Sequence, residues 1–432
     1  MSSVHVGIDI GTTSAKICAT QGDESLCEFK QNYEFPETLK EQGLQDPKVI
    51  LDTVMKLLEK TEMFLINKNL KISDVWTCGQ MHGIVFWSQK SVEESNNQSG
   101  NLITSPLYNW TYSNPALPQF LETLPKWSCR EVHPGFGLAT LAYLNSTGAE
   151  SLKNYNRCGT IMDLFLNFLS PSLTTFISHH NAHSWGYCNS DGTWQSDILS
   201  YLPKWIQLPT VTQATSKVVG TWNGAECHVA SGDLQASVAS LDQYENTAYL
   251  ILGTSAQLCC LVDSSSVPPT VPPTVVQLPY SCDKKLMAAC AMNGGNALET
   301  VLKKYSTSRS YQKLSHLLEE LNKNAPTLAS DLQIDPIFIP ERGFSKELVV
   351  SGLSPDTSDL QILEATHLGI IQNLFSLFPI SLFNTLRIKN LALVGSAQCP
   401  RFRRHIEAFA GDDFKFLTSK SEISTPLGAT KF

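Results

Sequence analysis

The sequence predicts an α/β protein of two similar domains, and three observations predict it. Apolar runs with strand-like alternation or β-branching are interleaved with runs at helical spacing in both halves of the chain. Each half opens on a strand running into an aspartate-bearing glycine turn. The first is Val6-Gly7-Ile8-Asp9-Ile10-Gly11-Thr12-Thr13, and the second is Val229-Ala230-Ser231-Gly232-Asp233-Leu234. The chain's 432 residues also suit two domains of roughly 200 residues each.

Composition narrows the class. Hydrophobic residues at 42% against 17% charged supply two buried cores and exclude a disordered chain. A net charge of −8 argues against nucleic-acid binding, which calls for a basic face. The twelve cysteines include no C-x-x-C pair, so neither a zinc ribbon nor a thioredoxin-type site is indicated. Cys259 and Cys260 sit in an apolar run and read as core. The stretch Tyr249 to Val262 is interrupted by Gly253, Thr254, Ser255 and Gln257, too short and polar to span a bilayer. The expectation is a soluble, cytoplasmic protein with no membrane or nucleic-acid partner.

Along the chain, Val4 to Ile10 reads as a strand, and Ile17-Cys18-Ala19 as its returning partner. The first glycine turn is therefore a hairpin tip. Asp46 to Leu65 carries a cap, Pro47 at the first helical position and helix-spaced Val49, Ile50, Val54, Leu57, Leu58 and Leu65. Asp74 to Cys78 is a strand leading into Gly79-Gln80-Met81-His82-Gly83, with Ile84 to Trp87 as its expected hairpin partner. The domain boundary is placed near Gly220 to Glu226, giving domains 1–224 and 225–432. Asp263 to Pro279, with two Pro-Pro pairs, is expected to be an exposed loop. Tyr311 to Leu321 and Asp359 to Phe378 read as helices, and Leu391 to Val394 as a strand delivering Gly395-Ser396.

The turns carry the chemistry. Glycines let backbone approach a phosphate, amides and hydroxyls donate to it, and a neighbouring carboxylate holds Mg²⁺. Gly11, Thr12 and Thr13 in the first half and Gly253, Thr254 and Ser255 in the second fit that pattern, with Asp9 and Asp233 as metal carboxylates. The indicated chemistry is phosphoryl transfer from a phosphate donor with Mg²⁺. Asp233 reads both as a helix N-cap and as the base that takes a hydroxyl proton, and the two roles are compatible. His82, in an exposed turn, reads as a sugar contact or a core histidine. Lys16 is open between a phosphate contact and a solvated residue. His179, His180 and His183 contain an i, i+4 pair, but Asn181 and Ser184 favour a loop and no third ligand stands nearby.

These motifs, in this order, resemble the FGGY carbohydrate kinases over nearly the whole chain. The resembling segments are Asp9 to Ser14, Met81-His82-Gly83, Gly232 to Ala236, Gly253 to Ser255, and Gly395-Ser396. The resemblance implies two actin-like, ribonuclease-H-type domains with ATP and sugar in the cleft between them. It implies Asp233 as catalytic base. Gln80, Met81, His82, Gly83 and Trp110 would lie on the sugar, and Gly294, Gly295, Gly395 and Ser396 on the nucleotide. Segments such as Ser184-Trp185-Gly186-Tyr187 and Asn293-Gly294-Gly295-Asn296 resemble the branch acting on the seven-carbon ketose sedoheptulose; xylulose and ribulose are the alternatives. Trp110-Thr111-Tyr112-Ser113-Asn114 lacks the Asp and Arg of the family's Trp-x-Asp-x-Arg element, and the carboxyl end stops where the family begins its last helix. The other alternative is a binding protein of this fold without catalysis.

Overall fold

The computed structural model describes residues 3–22, 24–281, 283–306, 313–341, 344–418 and 423–432. The β-branched run becomes strand β1, Val4–Ile10, paired antiparallel with β2, Ser14–Gln21, and β2 with β3, Glu24–Asn32. Strand β4, Ile72–Gly79, lies parallel to β1 on its other side. Beyond it come β5, Val218–Trp222, β6, Ala225–His228, and β7, Ser231–Gly232, of which β6 and β7 pair parallel with β4. The seven-stranded sheet runs β5-β6-β4-β1-β2-β3, with β7 also on β4.

The second sheet repeats the plan. Strands β8, Thr247–Leu252, β9, Ala256–Asp263, and β11, Lys284–Ala291, are antiparallel, with β10, Val276–Pro279, outside β11. Strands β12, Asn390–Gly395, and β13, Lys415–Thr418, are added parallel beside β8. The order β10-β11-β9-β8-β12-β13 therefore contains the same succession, three antiparallel strands followed by two parallel ones, as β3-β2-β1-β4-β6. This is the ribonuclease-H-type arrangement, present twice.

The chain divides into two compact units, Met1–Leu241 with Ser424–Phe432, and Asp242–Ile423. The division thus follows Leu241 and does not fall near Gly220–Glu226. The reason is strand pairing: β6 and β7 complete the first sheet, so Asp233 stays in the first unit. The helix Thr425–Ala429 also returns to that unit, where Gly7 and Gly428 allow backbone contact with Pro426 and Ala236.

Helix Pro47–Ile66 forms as the spacing predicts, with the Asp46 carboxylate accepting from the Lys48 amide at 2.9 Å. It buries Ile50, Leu51, Val54, Leu57, Leu58 and Leu65 against the first sheet, each worth about 1.5–3 kcal/mol when fully removed from water. In the second unit, Asp359–Leu377 has a Ser358–Gln361 capping box and packs on the second sheet. Of the helix expected from Tyr311, residues Leu314–Lys323 are helical; Tyr311 and Gln312 lie outside the described residues.

Three local expectations are corrected. Val85–Trp87 pairs with Arg157–Gly159, not with β4, because the turn after Gly79 carries the chain off the sheet. Val276–Pro279 is an edge strand, where Pro279 at the strand end is tolerated. His179–Ser184 is a short helix, started by the Ser178 hydroxyl accepting from the Asn181 amide. Cys259 and Cys260 are fully buried, as expected. No helix among the described residues is long and apolar enough to cross a membrane.

Candidate active site

Parallel pairing gathers the first unit's chemistry at one edge of the sheet. Asp9 pairs with Cys78, Cys78 with Ser231, and Gly79 with Gly232, so Asp9, Gln80 and Asp233 stand at the carboxyl ends of adjacent strands. That edge is where open α/β sheets receive ligands. Glycine is required at Gly79, since a Cβ there would strike the Ile10 carbonyl. At Gly232 a Cβ would come within 2.7 Å of the Met81 sulfur.

Both carboxyls are costly to ionise, and Asp9 adds to the cost at Asp233. Burial pushes the Asp9 carboxyl up to about 6, with Lys16 pulling the other way. Burial, and then the negative charge of Asp9, push Asp233 up to about 7. Asp233 is the first residue of helix Asp233–Ala239, with Gly232 at the cap, so it is not the N-cap the sequence suggested. Its Oδ1 accepts from the Leu234 amide at 2.8 Å, but desolvation outweighs the helix terminus, and the carboxylate is not held firmly ionised. Lys16, opposite Asp9 in the hairpin, places Nζ 3.4 Å from Asp9 Oδ2.

Asp9 Oδ1 is buried without a hydrogen-bond partner among the described residues, and a cation would relieve two carboxyls held up by desolvation at neighbouring strand ends. Hard oxygen donors of this kind fit Mg²⁺.

The first glycine turn is braced by Gln45, which sequence reading missed, and by Gln80 and Trp110, which it placed on the sugar. Gln45 donates to the Thr12 carbonyl at 2.6 Å, and Gln80 donates to Gln45 Oε1 at 2.9 Å and to the Gly11 carbonyl at 3.3 Å. The Gln80 amide nitrogen therefore supports the turn and is not spent on substrate. Trp110 donates its indole N–H to Thr12 Oγ1 at 2.8 Å, tying its segment to the first glycine turn. No local motif marks Gln45, which acts across 33 residues of sequence.

His82 has a left-handed φ of 73°, a strained setting for a non-glycine residue. Its backbone N–H donates to Ser184 Oγ at 3.0 Å, and its Nδ1 lies 2.7 Å from the Ser184 carbonyl. A carbonyl only accepts, so the proton sits on Nδ1 and Nε2 is the acceptor of the neutral ring. The ring stacks on Phe136 at 4.7 Å. Trp185, from the resembling segment Ser184 to Tyr187, is fully buried and donates to the Gly83 carbonyl at 3.0 Å. Asn181 braces the strand end before Asp233 through the Ala230 carbonyl at 3.0 Å.

The second unit gathers its own candidates. Gly253, Thr254 and Ser255 join β8 to β9. The amides of Gly295 and Asn296 bond to the carbonyls of Gly253 and Thr254, so the start of helix Gly295–Tyr305 lies on that turn. A Cβ at Gly294 would sit 2.6 Å from Ser255 backbone. Gly395, with φ 63°, ends β12 opposite Leu252 and presents Ser396 beside the same turn.

No protein-family model matches the chain. Human sedoheptulokinase is 29% identical over 432 residues, covering 91% of this chain and 90% of that protein, and mouse sedoheptulokinase is 28% identical over 431. Among solved structures, ligand-bound xylulose kinase from Lactobacillus acidophilus superposes with a TM-score of 0.80 at 18% identity, covering 99% of this chain and 88% of that one. Plasmodium falciparum glycerol kinase with ADP gives 0.79 at 16%, with the same coverage. The fold is that of the FGGY-type carbohydrate kinases, and the chain is a sugar-kinase homologue. The relatives it resembles along its sequence are the sedoheptulokinases.

Proposed function

We propose that the protein transfers the γ-phosphoryl group of ATP to a terminal hydroxyl of a ketose, with sedoheptulose as the preferred acceptor and the C7 hydroxyl as the site. The observation that carries the chemistry is Asp233, a carboxyl raised to about 7 at the strand edge it shares with Asp9. A base near the working pH accepts a proton efficiently in the transition state. The acceptor preference rests on the sedoheptulokinase likeness.

Asp233 would orient the sugar hydroxyl and take its proton. The amides and hydroxyls of Gly11, Thr12 and Thr13, and of Gly253, Thr254 and Ser255, would meet phosphate oxygens; Gly294, Gly295, Gly395 and Ser396 would border the adenosine. Asp9 and Asp233 would hold Mg²⁺, which when bound neutralises phosphate charge. Met81, His82, Gly83 and Trp110 would contact the sugar, His82 through Nε2. Gln80 would act mainly by holding the phosphate turn.

A panel of sedoheptulose, xylulose, ribulose and glycerol with Mg-ATP tests the acceptor. Sedoheptulose should give the highest kcat/KM. Turnover of another sugar with none of sedoheptulose would overturn the preference and leave the kinase reading intact.

Trp110→Phe removes the indole donor to Thr12 and keeps an aromatic ring. A lost neutral hydrogen bond is worth about 1 kcal/mol, so KM for ATP should rise roughly fivefold. In a double-mutant cycle with Thr12→Val, the double variant should lose about 1 kcal/mol less than the sum of the two single variants, read in steady-state kinetics. Full additivity would mean that the two residues do not act together.

A further inference from the structure

At the opposite end of the first sheet from Asp9 and Asp233, a second group of polar side chains converges. Asp74 on β4 faces Glu226 and His228 on β6, and one ligand atom from each lies within 4.8 Å of the others. His5 on β1 joins them, its Nδ1 lying 2.9 Å from Asp74 Oδ2.

The hydrogen bonding of His228 is the telling feature. Its Nδ1 lies 3.1 Å from the Ser216 carbonyl, which only accepts, so Nδ1 carries the proton. In the neutral ring Nε2 then presents a lone pair, yet it faces Asp74 Oδ1, another acceptor, at 3.1 Å. Trp76 stacks on the imidazole at 3.7 Å and 6°, and the side chain is 7% exposed, so the ring is held in this orientation. Such a pair is bridged either by a proton, as an imidazolium–carboxylate ion pair, or by a metal cation. An imidazole that donates its other N–H to a backbone carbonyl is also the usual outer support of a metal-ligating histidine.

We propose that His228, Asp74 and Glu226, with His5 alongside, bind a divalent transition cation of the zinc class. Ligands about 2.0–2.2 Å from such an ion are themselves about 3.3 Å apart at tetrahedral angles, close to the separation of His228 and Asp74. Imidazole with carboxylate selects this class over Mg²⁺, which favours oxygen and keeps its water. The site is therefore chemically distinct from the one at Asp9. Its effect on the fold follows from connectivity. Strand β6 runs through Val229 and Ala230 into β7 and Asp233, so the cation ties the strand delivering Asp233 to β4, which delivers Gly79.

The test is titration of the full chain with Co²⁺ in the absence of nucleotide, read by visible absorption, with Zn²⁺ as competitor. With excess Mg²⁺ present to fill the site at Asp9 and Asp233, one Co²⁺ per chain should bind with the spectrum of mixed nitrogen and oxygen ligation, and Zn²⁺ should displace it. Glu226→Gln should weaken binding at least about tenfold, and His228→Gln should abolish it. Asp233→Asn should leave it unchanged. Glu226 is exposed, so its variant reports on the site even if His228→Gln fails to fold. Zn²⁺ should raise the Tm of the wild type and not that of Glu226→Gln. Absence of binding at millimolar Co²⁺, or equal binding by Glu226→Gln, overturns the proposal and leaves a proton as the cation His228 shares with Asp74.

Discussion

Asp233→Asn is expected to lower kcat at least about 100-fold, the lower end of general-base contributions, while making the fold more stable near pH 8. Asparagine keeps the size and the contact to the Leu234 amide but cannot take a proton. The stability gain follows from the raised pKa. With the folded-state value near 7 and the ordinary value 3.8, the folded chain keeps a proton that the unfolded chain has released between those pH values. Stability contributed by this group is thus highest at low pH and falls as pH rises from about 4 to about 7. Above 7 the buried charge costs on the order of a few kcal/mol, which asparagine removes. Urea midpoints at pH 4 and pH 8 beside kcat check this. Mutant and wild type should nearly coincide at pH 4 and separate at pH 8, the mutant higher. Near-wild-type turnover would show Asp233 to be structural only.

Asp9→Asn should be of similar severity, with a different signature. It removes a carboxylate proposed to hold Mg²⁺, so kcat at fixed Mg²⁺ should fall on the order of 100-fold and the Mg²⁺ needed for half-activity should rise more than tenfold. It also removes the negative charge that helps to raise Asp233. The acid limb of the residual kcat/KM profile, near pH 7 in the wild type, should therefore move to lower pH. An unmoved limb would mean that the rate follows some other group. Lys16 is the control: Lys16→Met removes the cation 3.4 Å from Asp9, and should raise the Asp9 pKa further.

The sequence made legible those features that local pattern decides. The hairpin around Gly11 was readable because a β-branched run, a glycine turn and a second apolar run are adjacent. Helix Pro47–Ile66 was readable from Asp46, Pro47 and the spacing of Ile50, Val54, Leu57 and Leu58. What was not legible depends on partners distant in the chain. Val85–Trp87 takes Arg157–Gly159 as its neighbour, and the division after Leu241 is set by pairing of Ala225–His228 with Ile72–Gly79. The role of Gln45 at Thr12, the burial of Trp185 and the meeting of Asp74 with His228 are likewise tertiary. Asp233 shows the intermediate case. Its glycine turn and helix start were visible, but its raised pKa depends on burial and on Asp9, which arrives from the first strand.

The most direct measurement is phosphorus NMR of the purified protein incubated with sedoheptulose, ATP and Mg²⁺, beside the same mixture without sugar. A monoester resonance should grow in step with ADP, only when the ketose is present, and at least about 100-fold more slowly with Asp233→Asn. Binding of both ligands with no phosphorylated sugar, or ADP formation that ignores the ketose, would contradict the assignment.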